Sequence, residues 1–496
     1  MAELNRDWHK ERAALQIQGK AFINGEYVPA VSGKTFPCIS PINGEVLVEV
    51  ASCDVADVNV AVLHARQSFE SGIWSRMAPS ARKKVMIRFA DLIQANAVEL
   101  ALLETLDVGK PIRDSLNYDV INAADSIRWC GEAIDKVYGE VAATAESEIG
   151  LVTREPIGVV AIVVPWNFPL LMACWKLGPA LAAGNSIILK PSEKSPLTAI
   201  RVAQLALEAG IPAGVFNVVP GFGHTVGQAM GRHMDIDTIA FTGSTRVAKQ
   251  LLVYSGESNM KRVWMEAGGK SPNIVFADAP DLKAAAEGAA AGIAYNQGEV
   301  CSAGSRLLVQ RSIFDEFMPL LVEAMNEWKP GDPLDPETNF GAMVDRGQLE
   351  TVLNYIKLGE EEGARLVSGG RQALQNTGGL FVEPTIFSGV NNAMKIAQEE
   401  IFGPVLSVIV FDEVDEAIRI ANDSLYGLAA AIWTSNLSKA HRVARALKSG
   451  SVWVNQYDMG DMTAPFGGYK QSGNGRDKSL HAFHKYSELK ATWIKI

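Results

Sequence analysis

The sequence predicts an α/β protein in which a parallel, doubly wound sheet is followed by a second α/β domain. From Ile157 onward, strand-like and helix-like segments alternate, which is the pattern of β–α–β units. The first of these strands, IGVVAIVV, is apolar throughout, as expected for a strand that is buried on both faces. A second alternating series begins after Glu266. We therefore expect a domain boundary near Glu266 to Gly269.

Before this alternation the chain is expected to form hairpins and then helices. Asn-Gly pairs at Asn24 and Asn43 stand within short alternating apolar segments, which is a hairpin signal. Residues 139–156 return to a polar, strand-like segment that could leave the main body. Apolar residues recur at helical spacing in three stretches: 54–71, 79–106 and 114–138.

The two alternating series supply the strands and helices of the two domains. The first predicts strands at 157–164, 186–190, 215–219 and 238–243, and helices at 169–183, 195–209, 225–231 and 245–255. The second predicts strands at 272–277, 306–310, 405–411, 430–435 and 451–456, and helices at 284–295, 313–328, 415–422 and 439–447. A polar loop is expected at 331–341. The first series is the pattern of a Rossmann-like nucleotide-binding domain.

The composition argues against several classes of protein. A chain of 496 residues exceeds one core, so roughly two to four domains are expected. The formal net charge of −10 argues against nucleic acid or an anionic membrane as the main partner. Five scattered cysteines without CxxC spacing suggest neither a disulfide framework nor a zinc site. With no apolar signal segment and no apolar run long enough to span a bilayer, a cytoplasmic protein is expected.

The candidate nucleophile is Cys301, in the stretch YNQGEVCSAGSR. It lies between a helix-like and a strand-like segment, among small residues such as Gly298 and Gly304 that let a backbone N–H approach a bound atom. A thiol beside such donors suits a nucleophile near an oxyanion hole. The alternative is a buried free cysteine, which behaves as a small apolar residue. The polar, glycine-bearing flanks favour chemistry.

Two glycine-bearing turns are candidates for binding a phosphate. GFGHTVG, residues 221–227, lies between a strand and a helix, but its spacing is one residue longer than the dinucleotide fingerprint, which favours a plain turn. FTGSTRVA, residues 241–248, is the better candidate. Gly243 permits close approach there, and Ser244 can cap a helix whose first amides favour an anion.

Three further strand ends carry side chains suited to chemistry. Lys190 and Glu193 in LKPSEKSP could hold ribose hydroxyls, and Glu193 would repel a 2′-phosphate. Asn167 in PWNFPL could complete an oxyanion hole with its amide. Glu266 in EAGGK is a candidate general base. The alternatives are a solvated Lys–Glu pair in the first case and a turn or capping acid in the last.

Together these segments resemble the aldehyde dehydrogenase superfamily over residues 18 to 495. The resemblance implies Cys301 as the nucleophile, Glu266 as the base, and Asn167 with the Cys301 backbone N–H as the oxyanion hole. The thiolate would attack an aldehyde, hydride would pass to a nicotinamide ring, and Glu266 would activate the water that hydrolyses the thioester. The matching motifs are PWNFP (165–169), LKPSE (189–193), FTGST (241–245), MEAGGKSPNI (265–274), NQGEVCSAGSR (296–306), QEEIFGPV (398–405) and PFGGYKQSG (465–473).

The resemblance also implies NAD as the cofactor. The family usually has Gly at the position of Ala248, and the added methyl is expected to have a modest effect on NAD affinity. The implied cofactor residues are Lys190 and Glu193 for the adenosine ribose, Ser244 for the pyrophosphate, Glu400 and Phe402 for the nicotinamide ribose and ring, and Trp166 and Gly243 for the groove walls.

A three-part subunit is implied as well. The NAD-binding domain would comprise residues 1–133 and 152–268, the catalytic domain 269–470, and a small β oligomerisation arm 134–151 and 471–496. A homotetramer or homodimer is expected.

Within the family, residues 100–112, 175–197 and 457–482 resemble the γ-glutamyl-γ-aminobutyraldehyde and 4-guanidinobutyraldehyde dehydrogenases of polyamine and arginine breakdown. Acids at the tunnel mouth with aromatic walls suit an aldehyde whose far end is cationic. Solvated loop charges at Asp458 and Asp461, a general aliphatic or betaine-type aldehyde dehydrogenase, a cysteine esterase and a non-catalytic protein on this fold are the alternatives. The residues expected along the substrate tunnel are Asp107, Met172, Trp175, Tyr295, Asp458 and Phe466.

Overall fold

The structure, a computed structural model, describes residue 4 and residues 6–496 of the chain. Helix α2 illustrates how the sequence sets its limits: the Asp54 carboxylate accepts from the Ala56 N–H at its start, and Gly72 ends it with φ 80°. The helices are α1 (Trp8–Ala14), α2 (Val55–Ser71), α3 (Pro79–Ala95), α4 (Ala97–Val108), α5 (Ile112–Asp114), α6 (Val120–Ala133), α7 (Pro169–Ala183), α8 (Leu197–Ala209), α9 (Gln228–Arg232), α10 (Thr245–Gly256), α11 (Leu282–Ala294), α12 (Phe314–Asn326), α13 (Arg346–Glu361), α14 (Lys395–Gln398), α15 (Val414–Asn422) and α16 (Leu437–Ala446).

The strands form two large sheets and several small ones. They are β1 (Ala21–Ile23), β2 (Glu26–Val28), β3 (Thr35–Ile39), β4 (Val46–Ala51), β5 (Glu140–Ala142), β6 (Glu148–Pro156), β7 (Val159–Val163), β8 (Ser186–Lys190), β9 (Phe216–Val218), β10 (Thr238–Thr242), β11 (Arg262–Glu266), β12 (Pro272–Val275), β13 (Arg306–Gln310), β14 (Arg365–Ser368), β15 (Gln372–Ala373), β16 (Phe381–Val382), β17 (Thr385–Ser388), β18 (Val405–Phe411), β19 (Tyr426–Gly427), β20 (Ala429–Trp433), β21 (Ser451–Val454), β22 (Tyr469–Lys470) and β23 (Ser487–Lys495).

The first large sheet has the strand order β11-β10-β7-β8-β9-β1-β2. The strands from β11 to β9 are parallel, and β7, β8 and β10 are almost completely buried. The expectation of an all-parallel sheet is wrong at one edge, where β1 pairs antiparallel with β9 and with β2. The Asn24–Gly25 turn between β1 and β2 has φ of 54° and 84°, so the hairpin predicted there is confirmed.

The second large sheet has the strand order β14-β17-β18-β13-β12-β20-β21. All its neighbours are parallel except β14, which runs antiparallel to β17. The chain passes from the first sheet to the second between Glu266, which ends β11, and Pro272, which begins β12. This crossing occurs in the same glycine-containing segment that the sequence marks as a turn.

A smaller antiparallel sheet contains β23, β6 and β5. β23 pairs with β6 along its whole length, from Ser487 opposite Pro156 to Lys495 opposite Glu148. Its strands are largely exposed, and they include apolar side chains such as Trp493, 64% exposed. Exposed apolar strands of this kind are typical of a surface that a partner covers. The remaining pairs are β3 with β4, β15 with β16 and β19 with β22.

The observed elements depart from the expected ones in four places that bear on the site or its surroundings. The helix expected over 79–106 is two helices, α3 and α4, because Asn96 stands between them and bonds the carbonyl of Leu92 with its side chain. The stretch 114–138 begins with a π-helical turn, Ser115–Asp119, before α6. Helix α13 lies in a region where no element was predicted. GFGHTVG is a π-helical turn at Gly223–Gly227 that leads into α9.

All five cysteines have free thiols, and four of them are buried. Within the described residues, no helix combines the length and apolar character needed to cross a bilayer.

Candidate active site

Four parallel strands of the first sheet end side by side and position the loops of the site. β11, β10, β7 and β8 are neighbours in this order, and their register places Thr242 opposite Glu266 and Val163 opposite Lys190. The carboxyl ends of parallel strands meet at one edge of a sheet, and ligands of open α/β sheets bind outside that edge. The loops that follow Val163, Thr242 and Glu266 therefore converge there.

A cavity of about 200 Å³ lies at this edge, and we call it the inner cavity. Cys301 contributes to its wall. Several residues predicted for the cofactor groove and the oxyanion hole line it together: Trp166, Asn167, Gly243, Ser244, Glu400 and Phe402.

The inner cavity combines a helix N-terminus with an aromatic pair. Ser244 caps α10, since its Oγ accepts a hydrogen bond from the Val247 N–H at 3.3 Å. The free amides of this first turn favour an anion. The rings of Trp166 and Phe402 meet edge to face, with centroids 5.1 Å apart, and Phe402 adopts a left-handed φ of 57°. Such a conformation is costly for a bulky residue and is often found at ligand sites.

Glu400 is fixed to the loop after β11. Its Oε1 accepts a hydrogen bond from the Gly269 N–H at 3.0 Å, and a side chain at Gly268 would collide with the carboxylate. Burial raises the pKa of Glu400 to about 7. The group is therefore a fixed polar partner for a ligand hydroxyl at this wall of the inner cavity.

Lys190 and Glu193 lie at the end of β8 and do not line the inner cavity. The Lys190 ammonium donates to the Pro191 carbonyl at 2.8 Å and to Glu193 Oε2 at 3.2 Å. Lys190 is buried and its pKa is lowered by burial, while the Glu193 side chain is 35% exposed. The strand order places this pair one strand away from the Trp166 loop.

The segment before Cys301 is a strained, tightly held turn. Asn296, Gln297 and Gly298 have φ of 47°, 57° and 71°, and all three are buried. Gln297 Oε1 accepts from the Gly341 N–H at 2.8 Å. Glu299 points away from the thiol, because its Oε1 accepts from the Val344 N–H at 3.1 Å. Two non-glycine residues in the left-handed region cost free energy that the surrounding hydrogen bonds must offset.

Cys301 lies where the inner cavity meets a second, larger one. Burial raises the pKa of its thiol, and the nearby carboxylates of Asp458, Glu400 and Glu266 raise it further. The Ser302 backbone N–H opposes this effect. In this state the sulfur is a thiol, and a positive charge or a base nearby would favour the thiolate.

Asn167 is oriented by the turn that precedes Cys301. Its Nδ2 donates one hydrogen bond to the Glu299 carbonyl at 2.8 Å, and Asn296 Nδ2 donates to the Asn167 carbonyl at 3.1 Å. A side-chain amide carries two N–H groups, so Asn167 keeps one for a ligand. Because Asn167 and Cys301 line the same cavity, that donor is placed to meet an oxygen bonded near the sulfur.

Glu266 is close enough to raise the Cys301 pKa, but its carboxylate lines neither cavity. It is 4% exposed, and a side chain at Gly467 would come within 2.6 Å of its Oε1. Burial and the charge of Asp477 raise its pKa well above the usual range, while Lys485, Lys176 and Arg476 lower it. Glu266, the predicted base, therefore faces neither cavity in this conformation. A rotation of the side chain would be needed to reach Cys301.

A charged cluster surrounds the Glu266 carboxylate. Asp477 is bound by two lysines, with Lys176 Nζ 2.5 Å away and Lys485 in contact with its other oxygen. All three side chains are at most 3% exposed. Burial of a charged cluster is costly unless the charges are paired, and here the pairing leaves one positive charge in excess to offset Glu266.

The larger cavity, about 430 Å³, is lined by aromatic residues and acids, and we call it the outer cavity. Trp175 and Phe466 meet edge to face with centroids 5.4 Å apart. Asp458 Oδ1 accepts from the Ser302 hydroxyl at 3.1 Å, which fixes this acid one residue from the thiol. The predicted residues brought together here are Met172, Trp175, Tyr295, Asp458 and Phe466.

Asp107 does not belong to this set. Its side chain is completely buried, and its carboxylate accepts from the Cys38 thiol at 2.9 Å and from the Leu197 N–H at 3.0 Å. The prediction that Asp107 borders the substrate tunnel is wrong. α4 directs this acid into the protein to hold the start of α8, although its neighbours in the sequence resemble the family closely.

The comparison with known proteins decides the family. A model of the aldehyde dehydrogenase family matches residues 27–492 of the chain. This chain belongs to the aldehyde dehydrogenase family. An Escherichia coli K12 relative, the NADP/NAD-dependent aldehyde dehydrogenase PuuC, is 57% identical over 489 residues, 99% of this chain and 98% of that one.

Solved structures give the same result for the fold. An indole-3-acetaldehyde dehydrogenase in complex with NAD⁺ is 70% identical, with a TM-score of 0.98 and 99% of each chain covered. A γ-glutamyl-γ-aminobutyraldehyde dehydrogenase from Burkholderia cenocepacia is 61% identical, with a TM-score of 0.97 and 99% of each chain covered. The predictions of the aldehyde dehydrogenase fold, of NAD(P)-dependent aldehyde oxidation and of a nicotinamide cofactor are thereby confirmed.

The inner cavity of this aldehyde dehydrogenase fits such a cofactor. Thr242 lines it, and the buried Oγ1 of this residue has no hydrogen-bond partner among the residues that the structure describes, so its hydrogen bonding is left open beside the cavity. The N-terminus of α10 suits a pyrophosphate, and Trp166 and Phe402 suit a ring system. Ala248 is buried in the apolar cluster of α10 and does not line the inner cavity.

Several functional candidates of this aldehyde dehydrogenase were missed from the sequence. Tyr457 OH donates to the Ser302 carbonyl at 2.7 Å and supports the nucleophile loop. Lys485 enters the Asp477 cluster from the segment before β23. Lys176 could have been predicted, because it is the one charged residue within the apolar helix α7 and a lysine buried there requires an acidic partner.

Proposed function

We propose that this aldehyde dehydrogenase oxidises an ω-amino, ω-guanidino or γ-glutamylamino derivative of butyraldehyde to the corresponding acid, with NAD as the preferred cofactor. One observation carries the proposal: Cys301 lies at the junction of the inner cavity, which suits a dinucleotide, and the outer cavity, whose walls are aromatic and acidic. The sulfur is therefore reached from both sides, which a hydrolase without a cofactor would not require.

The first chemical step joins Cys301 to the aldehyde. The thiolate sulfur forms a bond to the aldehyde carbon, and the carbonyl π electrons move to the oxygen. The free N–H of Asn167 and the Cys301 backbone N–H stabilise the negative oxygen that results. Glu400, Phe402 and Trp166 would hold the nicotinamide end of NAD, which when bound supplies the acceptor for the hydride that leaves this carbon.

The second step releases the acid. Glu266 takes a proton from water while the water oxygen attacks the thioester carbon, and the Cys301 thiolate leaves. Burial raises the pKa of Glu266, which makes its ionised carboxylate a stronger base toward the proton of the water. Its carboxylate must turn from the Asp477 cluster toward Cys301 for this step.

The outer cavity supports the substrate class. Asp458 is held beside Ser302, and Trp175 with Phe466 offers faces for a cationic group. The B. cenocepacia relative is named for γ-glutamyl-γ-aminobutyraldehyde. A second candidate is an aromatic aldehyde, which the aromatic walls and the relative named for indole-3-acetaldehyde favour.

The assembly and location of the chain complete the proposal. The two large sheets would be the cores of an NAD-binding and a catalytic domain, with the sheet of β5, β6 and β23 as an oligomerisation arm of a homotetramer or homodimer. Five free thiols suit the reducing cytoplasm. Recovery of the protein in the periplasmic or membrane fraction of its cells would contradict that location.

Cys301 and Glu266 should be separable by kinetics. Cys301→Ala should abolish turnover, by a factor of roughly a thousand or more, because the nucleophile is lost. Glu266→Gln should keep a stoichiometric burst of NADH while steady turnover falls roughly a hundredfold, because only hydrolysis needs the base. Stopped-flow absorbance measures both. Glu257→Gln, an exposed control in α10's C-cap, should behave as the wild type, and a wild-type rate for Glu266→Gln would rule out the base assignment.

Cofactor choice should depend on Glu193. A carboxylate that bonds the adenosine ribose would repel a 2′-phosphate, so kcat/KM should favour NAD over NADP. Glu193→Gln should reduce that ratio by roughly tenfold. Glu208→Gln, in α8 with a half-exposed carboxylate, is the control. If the wild type clearly preferred NADP, Glu193 would not face the ribose.

Substrate preference should be graded. We expect kcat/KM for 4-guanidinobutyraldehyde to exceed that for butyraldehyde, and Asp458→Asn to reduce the advantage up to about fivefold, as partly exposed ion pairs do. Asp315→Asn, an exposed acid at the start of α12, should change nothing. Equal values for charged and neutral aldehydes would indicate a general aliphatic enzyme, and a preference for indole-3-acetaldehyde would favour the aromatic candidate.

Oligomerisation should depend on β23. Trp493→Glu places a charge on an apolar surface and should lower the molar mass measured by light scattering, because burial of the charge opposes association. Leu437→Glu is the matched control, since Leu437 is 72% exposed on α16, away from this sheet. A wild-type mass for Trp493→Glu together with a reduced mass for Leu437→Glu would place the interface elsewhere.

A further inference from the structure

A third cavity of about 300 Å³ adjoins the outer cavity on its far side from the thiol, and we call it the vestibule. It does not include Cys301 among its walls. One wall is a single face of α6, since Asn122, Asp125, Trp129 and Glu132 recur at helical spacing. The two cavities are continuous, because they share Tyr118, Leu171, Trp175, Gly460, Asp461 and Lys478.

Lys478 lies at the junction of the outer cavity and the vestibule in a strained conformation. Its φ is 61° and that of Ser479 is 53°, so two consecutive non-glycine residues adopt the left-handed region. The Lys478 ammonium lies 5.2 Å from the centroid of the Trp175 ring. The turn directs this cation across the aromatic wall, and the strain is of the kind found where a side chain is held for a ligand.

The ammonium of Lys478 is partly buried but lacks a carboxylate partner. No Asp or Glu oxygen of the described chain lies within 4.0 Å of it; Lys110, Lys176 and Lys485 have such partners, while the buried Lys261 and Lys270 have none. Burial lowers its pKa because its charge has lost part of its hydration, and the carboxylates of Asp461 and Asp458, which lie beyond 4.0 Å, oppose this effect. A partly desolvated cation that faces a cavity favours an anionic group of a ligand.

The vestibule also offers acids. Asp125 and Glu132 are exposed on the α6 face and make no ion pair within the described residues, whereas Arg128 beside them is bound to Asp91 at 2.7 Å. Asp461 is held in place by the Thr463 N–H at 2.8 Å. The lining of the vestibule therefore includes both a cation and carboxylates.

We propose that the vestibule is a subsite for an α-amino-acid head group at the far end of the aldehyde. Lys478 binds its carboxylate, and Asp461 and Asp125 bind its ammonium. This inference rests on the proposed function and deepens it, because among the proposed substrates only the γ-glutamylamino aldehyde carries both charges. A tail that is only cationic meets Lys478 with like charge.

Four aldehydes with the same amide-linked chain test the subsite: one with both head-group charges, one with the carboxylate alone, one with the ammonium alone, and one with neither. The measured quantity is kcat/KM relative to the uncharged compound, which cancels any general effect of a variant on turnover. In the wild type, kcat/KM should be higher for each compound with the carboxylate than for the otherwise identical compound without it. Lys478→Met should reduce the gain from the carboxylate roughly tenfold, whereas the gain from the ammonium should stay the same or rise, because a like charge is removed.

Two further variants separate the charge from the turn. Lys478→Arg keeps the cation and should retain most of the carboxylate gain. Lys478→Gly removes the cation but relieves the strain of the left-handed φ, so the thermal midpoint of this variant should equal or exceed that of the wild type. The increase in kcat/KM that the substrate carboxylate gives should be lost. Lys83→Met, a partly buried lysine of α3 outside all three cavities, is the control and should keep every ratio.

The outcomes separate this inference from the proposed function. If Lys478→Met preserves the carboxylate gain, or if the wild type prefers the ammonium-only compound over the one with both charges, the vestibule is not this subsite, although the charged-substrate proposal stands. If the wild type oxidises all four compounds and butyraldehyde equally, the proposed substrate class and the subsite both fail. Loss of the carboxylate gain in Lys478→Met and Lys478→Gly but not in Lys478→Arg establishes the subsite.

Discussion

The hydrogen bonds that hold the turn before Cys301 are the constraint on which the rest of the site depends. Gln297 ties the turn to Gly341, Asn296 ties it to Asn167, and Tyr457 ties the following loop to the segment before β22. These partners lie in three separate loops: Asn167 follows β7, Gly341 lies between α12 and α13, and Tyr457 follows β21. The left-handed residues of the turn exist because all of these contacts form together.

A second constraint is electrostatic. Carboxylates at Glu266, Glu400 and Asp458 surround the thiol and disfavour its ionised form, while the lysines on Asp477 favour the ionised form of Glu266. The site thus favours the protonated form of Cys301, the proposed nucleophile, and holds Glu266, the proposed base, within the Asp477 cluster. An arrangement of this kind limits unwanted reaction of the thiol, because ionisation then depends on what occupies the cavities.

Much of the fold and part of the site could be predicted from the sequence. Continuous apolar runs such as β7 and β18, when helical segments separate them, indicate strands of a buried parallel sheet. Several residues of the inner cavity directly follow the ends of such strands, which is where ligands of these sheets bind. The antiparallel edge formed by β1 could not be seen, because its partner β9 is far away in the sequence. The division at Asn96 was missed because both helices carry the same apolar period.

Side-chain direction limited the predictions more than sequence position did. Asp107 lies in a segment that matches the family well, yet α4 points it inward to the Leu197 N–H, and the Glu266 carboxylate turns away from the thiol. No sequence pattern pointed to Lys478, since its proposed role depends on a left-handed turn and on the absence of a carboxylate within 4.0 Å. Neither property can be recognised from a short sequence motif.

The inner and outer cavities share only Met172 and Cys301 among their lining residues, and this has a kinetic consequence. With the cofactor in the inner cavity and the aldehyde in the outer one, as proposed, the two would reach the sulfur by separate routes, and neither would obstruct the other's arrival or departure. Any compulsory order of addition in this enzyme would then originate in the charge state of the thiol, which each ligand alters, and not in steric exclusion. The spent cofactor could likewise depart while the acyl group is still attached to the protein.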